Sequence, residues 1–425
     1  MTQPGSQLRA STRASGPADQ ASVRRSNLAL VLRHLRDQGP RSRADIALET
    51  RLNKATVSSL VADLTHRGLV RETGRQHQRG VGRPGRILEL DGREVGALGV
   101  EVNADYVAAY GTDLAGRVLV DRRDSFDAMS ATPDQAIARL AQAAREALND
   151  MGQAGATVAG ITVAVPGLVD VSRGEVLFAP NLGWRNVPIA ELLSKAVTPQ
   201  VPVRADNDAN LSALAEFWSG PAAGTPHLVF ISGEVGVGCG VIVDGVLLRG
   251  ADGFSGEVGH MPVDPAGNQC ACGRFGCWET KVGLAVLVSQ AAPDLAYGSG
   301  PVRDVDERLS EILRRADDGD PAAVAAFEEV GRWLGLGASI LVNLFNPRVL
   351  VVGGYLARVA ERMLPIAQCE LDRLAMAGLA SGCKVVASTL AFGAAVRGGA
   401  GLAVEAVLTD PTIVSHAQLR LAPLP

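Results

Sequence analysis

Between Glu257 and Glu279 the chain gathers one histidine and three cysteines within eighteen residues. The stretch reads Glu257-Val-Gly-His260, then, nine residues on, Cys270-Ala-Cys272-Gly-Arg-Phe-Gly-Cys277-Trp-Glu279. His260, Cys270, Cys272 and Cys277 make up a full tetrahedral ligand set for a structural Zn2+ ion, one per chain. Gly273 and Gly276 let the backbone turn tightly between the thiolates. A closed metal site fixes the path of this segment before any core is considered. Glu257 and Glu279 flank the cluster, and the metal shell needs neither. The cluster therefore reads as a scaffold that holds polar groups for another purpose.

The metal reading depends on compartment. The N-terminus is polar and dotted with arginine, without the apolar core of a secretory signal. No apolar run approaches the roughly 20 residues of a membrane span. The expected location is the cytoplasm, where clustered cysteines bind metal more often than they pair. Cys239, Cys369 and Cys383 stand alone in apolar segments and read as inert core thiols. At 425 residues the chain is expected to form two or three domains.

A net charge of −4 hides an uneven distribution. Residues 1–90 hold 15 Arg and one Lys against seven acidic residues, a balance of +9; the remainder stands at −13. A basic head on an acidic body suggests that the head alone meets a polyanion. Residues 1–22 lack periodicity and read as a disordered tail. Over 23–90 the pattern is helical and then extended. Leu28, Val31, Leu32 and Leu35 mark a first helix that Gly39-Pro40 ends. Ser42 and Asp45 offer a capping box for a second. After the turn at Leu52-Asn53, Val57, Leu60, Val61 and Leu64 mark a third, from Ala55 to Arg67. This is a helix-turn-helix, with Lys54, Thr56, Ser58 and Ser59 on the face that a recognition helix turns to base edges. Leu69-Val70 begins a strand and Arg86–Leu90 returns it, with Arg83 and Arg86 in a basic wing suited to a minor groove. The bland alternative is a small helical bundle with solvated charges.

From Gly96 the periodicity turns to strands and helices, and after Ala223-Gly224 the plan recurs, which suggests two α/β lobes facing a cleft. Six stretches carry a family resemblance: Val165-Pro-Gly-Leu-Val-Asp170, Ala179-Pro-Asn-Leu-Gly-Trp184, Asp206-Asn-Asp-Ala-Asn210, Gly256-Glu-Val-Gly-His260, the cysteine cluster, and Val351-Val-Gly-Gly354. The body resembles the ROK family, which groups transcriptional repressors with sugar kinases. The resemblance implies an actin/hexokinase-like body over 91–425, with one lobe at about 91–205 plus 391–425 and the other at about 206–390. The head is similar to the winged helix-turn-helix of the family's repressor branch.

The resemblance also implies a sugar site. Asn207 and Asp208 match the family's contacts to sugar hydroxyls, with Asp208 at the position of the kinases' base; read alone, the pair is sooner a turn and helix cap. Glu257, His260 and Glu279 match the remaining contacts. A zinc-bound imidazole keeps a second nitrogen free for a ligand, so the metal would position all three. The alternative is a zinc knuckle that only ties a loop. Asn181 and Gly167 are further pocket candidates.

The family's kinases receive ATP phosphates on an Asp-x-Gly-x-Thr turn. Here the matching segment is Glu101-Val-Asn103-Ala-Asp105, and the second phosphate loop, Ser232–Gly238, gains Glu234. Added carboxylates oppose phosphate binding. The sequence therefore points to a non-enzymatic, sugar-responsive transcriptional repressor, with a double-stranded DNA operator and a sugar or sugar derivative as partners, acting as a homodimer or dimer of dimers without a membrane. An active sugar kinase with a DNA-binding head, and a ligand-blind DNA-binding protein, are the alternatives.

Overall fold

The computed structural model describes residues 19–75, 86–197, 200–295, 305–376 and 382–414. The head begins earlier than its apolar periodicity indicates. Its first helix, Gln20–Gln38, is capped by Asp19, whose side chain accepts from the Ser22 amide at 2.6 Å. Residues 20–22 are therefore helical, while 1–18 lie outside the described residues. The buried face starts only at Leu28; in the first two turns Val23 is exposed and sets no apolar period. The second helix, Arg43–Thr50, starts at the capping box of Ser42 and Asp45. Arg51 adopts a left-handed φ of 59° in the turn, and Asn53 caps the third helix, Lys54–His66, by accepting from Thr56 N at 2.7 Å. Strands Val70–Arg75 and Arg86–Leu90 pair antiparallel, and the short strand Arg41–Ser42 adds to the second of them.

The body contains two five-stranded sheets of related plan. In the first, Val95–Val102, Tyr106–Asp113 and Val118–Ser125 form an antiparallel meander; Thr157–Val165 and then Val203–Asn207 continue it in parallel. In the second, Leu228–Gly233, Val237–Val243 and Val246–Leu247 form the meander, and Val349–Gly354 and Lys384–Ala387 extend it in parallel. The first sheet thus runs on to Asn207, past 205. Helix Pro133–Gln153 covers its outer face through Ile137, Leu140, Ala144 and Met151. A small third sheet of Leu168–Asp170, Glu175–Ala179 and Trp184–Val187 has no clear signature in the sequence.

Helices Asp208–Ser219 and Ala394–Thr409 pack together where the lobes meet. Close approach depends on glycine: a Cβ on Gly398 would lie 1.9 Å from the Leu211 carbonyl oxygen. The segment Ala391–Thr409 is long and apolar enough to cross a membrane by length and composition alone, unlike the expectation from the sequence. Here it is a core helix. Its C-terminal end enters the head: Val407, Leu408 and Val414 share one hydrophobic cluster with Leu28, Val31, Leu32 and Leu35. Arg36 pairs with Glu405, Arg33 donates to Thr409 Oγ1 at 2.5 Å, and Arg67 donates to the Val414 carbonyl at 2.7 Å. Head and body are docked rather than strung on a linker. Cys239 and Cys383 are buried, whereas Cys369 is exposed on helix Ala360–Leu374, so the core reading of that thiol is corrected.

Candidate functional site

The crevice between the lobes opens at the ends of the parallel strands, where α/β sheets place ligands. Gly167, Asn181, Asn207 and Asp208 line it from one side, and Glu257, His260 and Glu279 from the other. All seven sequence-predicted cleft residues are thus brought together. Gly167 follows strand Thr157–Val165 with φ +98°, and a Cβ there would lie 2.3 Å from the Phe178 carbonyl oxygen, so only glycine fits. Asn181 sits in the 3-10 turn Pro180–Leu182 of the small sheet. Asn207 caps helix Asp208–Ser219 by accepting from Asn210 N at 3.0 Å, and its Nδ2 donates to the Gly167 carbonyl at 3.0 Å. It is therefore both a helix cap and a cleft residue. Asp208 Oδ1 accepts from the Ala209 amide at 2.8 Å, and burial pushes its carboxyl up to about 6.

Opposite, the 3-10 turn Val258–His260 and the helical turn Glu279–Val282 hold the other half. His260, Cys270, Cys272 and Cys277 present ligand atoms that all lie within 4.8 Å of one another. Cys272 and Cys277 sulfurs are 3.7 Å apart, and Cys270 sulfur is 3.7 Å from His260 Nδ1. Tetrahedral bonds of about 2.3 Å to sulfur and 2.0–2.1 Å to nitrogen put neighbouring ligand atoms roughly 3.5–3.8 Å apart, so these residues fit a metal ion. His260 turns Nδ1 to the cluster and Nε2 toward Glu257, 3.9 Å away. Glu279 Oε1 accepts from the Cys270 thiol at 2.7 Å and lies 3.6 Å from His260 Nδ1. Partial burial, with the charges of Asp208 and Glu279, pushes Glu257 up to about 7.

Behind Asp208 the side chains of the segment 101–106 bond to one another. Asn103 Nδ2 and Tyr106 Oη donate to Glu101 Oε1 at 3.1 and 2.8 Å. Burial and the charge of Asp208 push Glu101 up to about 8. Burial and Glu101 raise Glu234 well above the usual carboxylate range. Arg123 lies between the rings of Tyr106 and Phe392, 4.4 and 4.2 Å from their centroids, and reaches Asp306 of the other lobe at 3.4 Å. The sequence did not single out Tyr106, Arg123 or Phe392; Arg123 joins Tyr106 to Phe392 and Asp306, segments far apart in the chain.

On the head, Lys54, Ser58 and Ser59 are exposed at the start of the third helix and Thr56 is half-buried. Ser58 Oγ donates to the Lys54 carbonyl at 2.9 Å, and Ser59 Oγ accepts from Arg24 at 3.3 Å. Arg86 pairs with Glu72, which also takes Arg43. Arg83 lies outside the described residues. Arg51 is exposed in the turn beside Lys54. It adds a second exposed cation at this end of the helix-turn-helix.

A model of the ROK family matches residues 97–406 and one of the MarR family residues 29–80. The xylose repressor of Caldicellulosiruptor bescii is 30% identical over 397 residues, 92% of this chain and 98% of that protein. The DNA-binding transcriptional dual regulator NagC of Escherichia coli is 28% identical over 395 residues, 93% and 96% of the two chains. Among solved structures, a ROK family transcriptional regulator, a homologue of the E. coli MLC protein, superposes with a TM-score of 0.76 at 28% identity, covering 93% of this chain and 99% of that one. A ROK glucokinase from Streptomyces griseus, in complex with glucose and AMPPNP, gives 0.62 at 31% identity, covering 73% and 99%. This chain belongs to the ROK family: a two-lobed actin/hexokinase-like α/β body preceded by a winged helix-turn-helix domain.

Proposed function

We propose that this chain is a sugar-responsive, DNA-binding transcriptional repressor. The observation that carries the reading is the single hydrophobic cluster shared by the helix-turn-helix and the end of helix Ala394–Thr409, whose other end lies beside the cleft. A ligand that favours one lobe arrangement thereby biases the placement of the head, provided that it binds the two arrangements with different affinity. In this reading residues 23–90 form the DNA-binding domain and 91–425 the sensor. Lys54, Thr56, Ser58 and Ser59 face bases, Arg83 and Arg86 belong to the wing, and two heads in a dimer set the half-site spacing.

Asn207, Asp208, Glu257, His260 and Glu279 form the sugar site, with Asn181 and Gly167 at its edge. A structural zinc ion on His260 and the three cysteines would orient Glu257, His260 and Glu279 of that set. Deprotonation of Cys270 on metal binding removes the proton that Glu279 accepts, which frees this carboxylate for a sugar hydroxyl. His260 Nε2 would remain available to the ligand. The Asn103, Tyr106 and Glu101 bonds support a body that does not receive nucleotide phosphates.

The test is fluorescence anisotropy of an operator fragment from the chain's own locus, with the full-length protein and a sugar panel. Sugar-dependent release is expected; DNA affinity that no sugar alters would refute the sensor. A second reading, an active sugar kinase, is favoured by the likeness to the glucokinase. Phosphoryl transfer from ATP in a single-turnover assay would establish it.

A further inference from the structure

Two carboxyl groups meet one phenol across the lobe boundary. Glu101 and Tyr106 belong to neighbouring strands of the first sheet, and Glu234 follows strand Leu228–Gly233 of the second. Tyr106 Oη lies 2.8 Å from Glu101 Oε1 and 3.4 Å from both oxygens of Glu234. A phenol carries one proton to donate. It goes to Glu101, the nearer partner. Asn103 Nδ2 stands 3.3 Å from the same phenol oxygen and takes part of its remaining room. An ionised Glu234 therefore meets only a lone pair at this oxygen, with a second carboxyl group behind it. A protonated Glu234 donates to Tyr106 Oη and completes a bridge between the lobes.

The surroundings favour that proton. Glu101 is 1% exposed, and its Oε2 has no hydrogen-bond partner among the described residues. Asp208 and Ser212 face the chamber from helix Asp208–Ser219, Ser232 from strand Leu228–Gly233 and Phe392 from the turn before the last helix, and no space the size of a water remains between them. Asp105, in the turn before Tyr106, adds a further negative charge. Arg123 of strand Val118–Ser125 brings a cation, but over the Tyr106 ring, 4.4 Å from its centroid, and it donates to Asp306 of helix Val305–Asp317 at 3.4 Å. Asp306 also takes Arg358. On the last helix Arg397 pairs with Asp121, and Tyr355, packed against Gly233, donates to the Val282 carbonyl. Burial, then the charge of Asp208, pushes Glu101 up to about 8. Burial, then the charges of Glu101, Asp105 and Asp208, raises Glu234 well above the usual carboxylate range.

We infer that a proton held among Glu101, Tyr106 and Glu234 clasps the two lobes, so that the cleft closes in acid and opens in base, and pH is an input beside any ligand. Separation of the lobes returns Glu234 to water and to its ordinary value of 4.5, whereas closure raises it. The proton's support for the closed form is therefore complete below about pH 4.5 and is lost as pH rises through the raised value. Between these limits closing takes up one proton, and the closed-to-open ratio falls about tenfold for each pH unit. The clasp needs no sugar and holds whether or not the sensor reading does.

The experiment is size-exclusion-coupled small-angle X-ray scattering of the full-length, zinc-loaded protein without ligand, from about pH 5.5 to 8.5, with circular dichroism to follow the fold. The radius of gyration should rise with pH in the wild type, and a two-state fit should give the tenfold change per unit. In Glu234→Gln the amide still donates to Tyr106 Oη but does not titrate, and the radius should keep its acid value throughout. Glu101→Gln leaves the phenol proton to an ionised Glu234 and should likewise flatten the profile. Tyr106→Phe removes the shared oxygen and should hold the alkaline radius at every pH. A wild-type radius that does not change with pH overturns the inference, and so does a change that Glu234→Gln leaves intact.

Discussion

Gly337→Ala tests whether packing deep in the second lobe governs the wall of the cleft that carries His260 and the three cysteines. Gly337 lies in helix Pro321–Phe345 against Trp278, which is fully buried between Cys277 and Glu279. A Cβ at this position would stand 2.0 Å from indole Cε2 and 2.2 Å from Cζ2, against ordinary contacts of 3.4 Å or more. Relief requires the ring to move by about 1.4 Å, the difference between 3.4 and 2.0 Å. That displacement strains the bond from Trp278 Nε1 to the Trp333 carbonyl, 2.8 Å long. Overpacking costs about 1–3 kcal/mol and the weakened bond about 1, while alanine returns roughly 1 kcal/mol of helix propensity. The net loss is about 1–3 kcal/mol, or a fall of roughly 3–9 °C in the lobe's midpoint. Metal sites tolerate ligand shifts of only about 0.2 Å, so displacement of Trp278 should loosen zinc and abolish the sugar response together. DNA affinity without sugar should persist, because the head's core is elsewhere. Differential scanning calorimetry, zinc competition against a chelator and operator anisotropy read the three effects. Gly152→Ala, at a helical site with open space around the Cβ, is the control that should not destabilise. Wild-type stability, zinc retention and response in Gly337→Ala would refute this coupling.

Three further outcomes can be checked. Glu405→Ala removes the partner of Arg36 between body and head; up to about 1 kcal/mol of docking is lost, and anisotropy should show operator binding retained with a blunted response to sugar. In Glu101→Gln the pH profile of stability should flatten. Glu101 is raised from 4.5 to about 8 in the fold, so its contribution is complete below about pH 4 and is lost as pH rises toward 8; glutamine never ionises, and an unchanged melting profile from pH 5 to 8 would contradict this. Arg51→Ala with Lys54→Ala should weaken operator binding and reduce the slope of log K against log salt by about two, and an unaltered slope would remove both from the DNA face.

What the sequence disclosed follows the range of the interactions involved. The capping box of Ser42 and Asp45, the apolar steps of the three head helices and the histidine-cysteine cluster each lie within eighteen residues of chain or fewer, where residue type and spacing suffice. Local reading left Asn207 open between cap and ligand contact. The fold uses it as the cap and also ties it to Gly167, forty residues away in sequence. The small sheet escaped because its strands have three to five residues and no regular alternation. The last helix was obscured by Gly393, Gly398, Gly399 and Gly401, which ordinarily argue against a helix. Their cost is met by packing: at Gly398 a side chain would collide with Leu211, so tertiary contact overrides propensity.

Under the proposed function, that glycine-rich helix is the link between a ligand in the cleft and a head it does not touch. Just before it, Phe392 stacks on Arg123 beside Tyr106, the residue that donates to Glu101 behind the cleft floor. Near its end, Val407 and Leu408 are buried in the core of the helix-turn-helix. Sixteen residues of helix span about 24 Å, and a well-packed helix moves as a body rather than bending. Arg123 also reaches across to Asp306, so closure or opening of the lobes acts where this rod begins. The head is fastened at the other end by apolar burial and by the pairing of Arg36 with Glu405, and cannot relax independently of the rod. The ligand therefore needs no path of successive contacts to the DNA face. It needs only to bind one lobe arrangement more tightly than the other, and the size of that difference bounds the change in operator affinity.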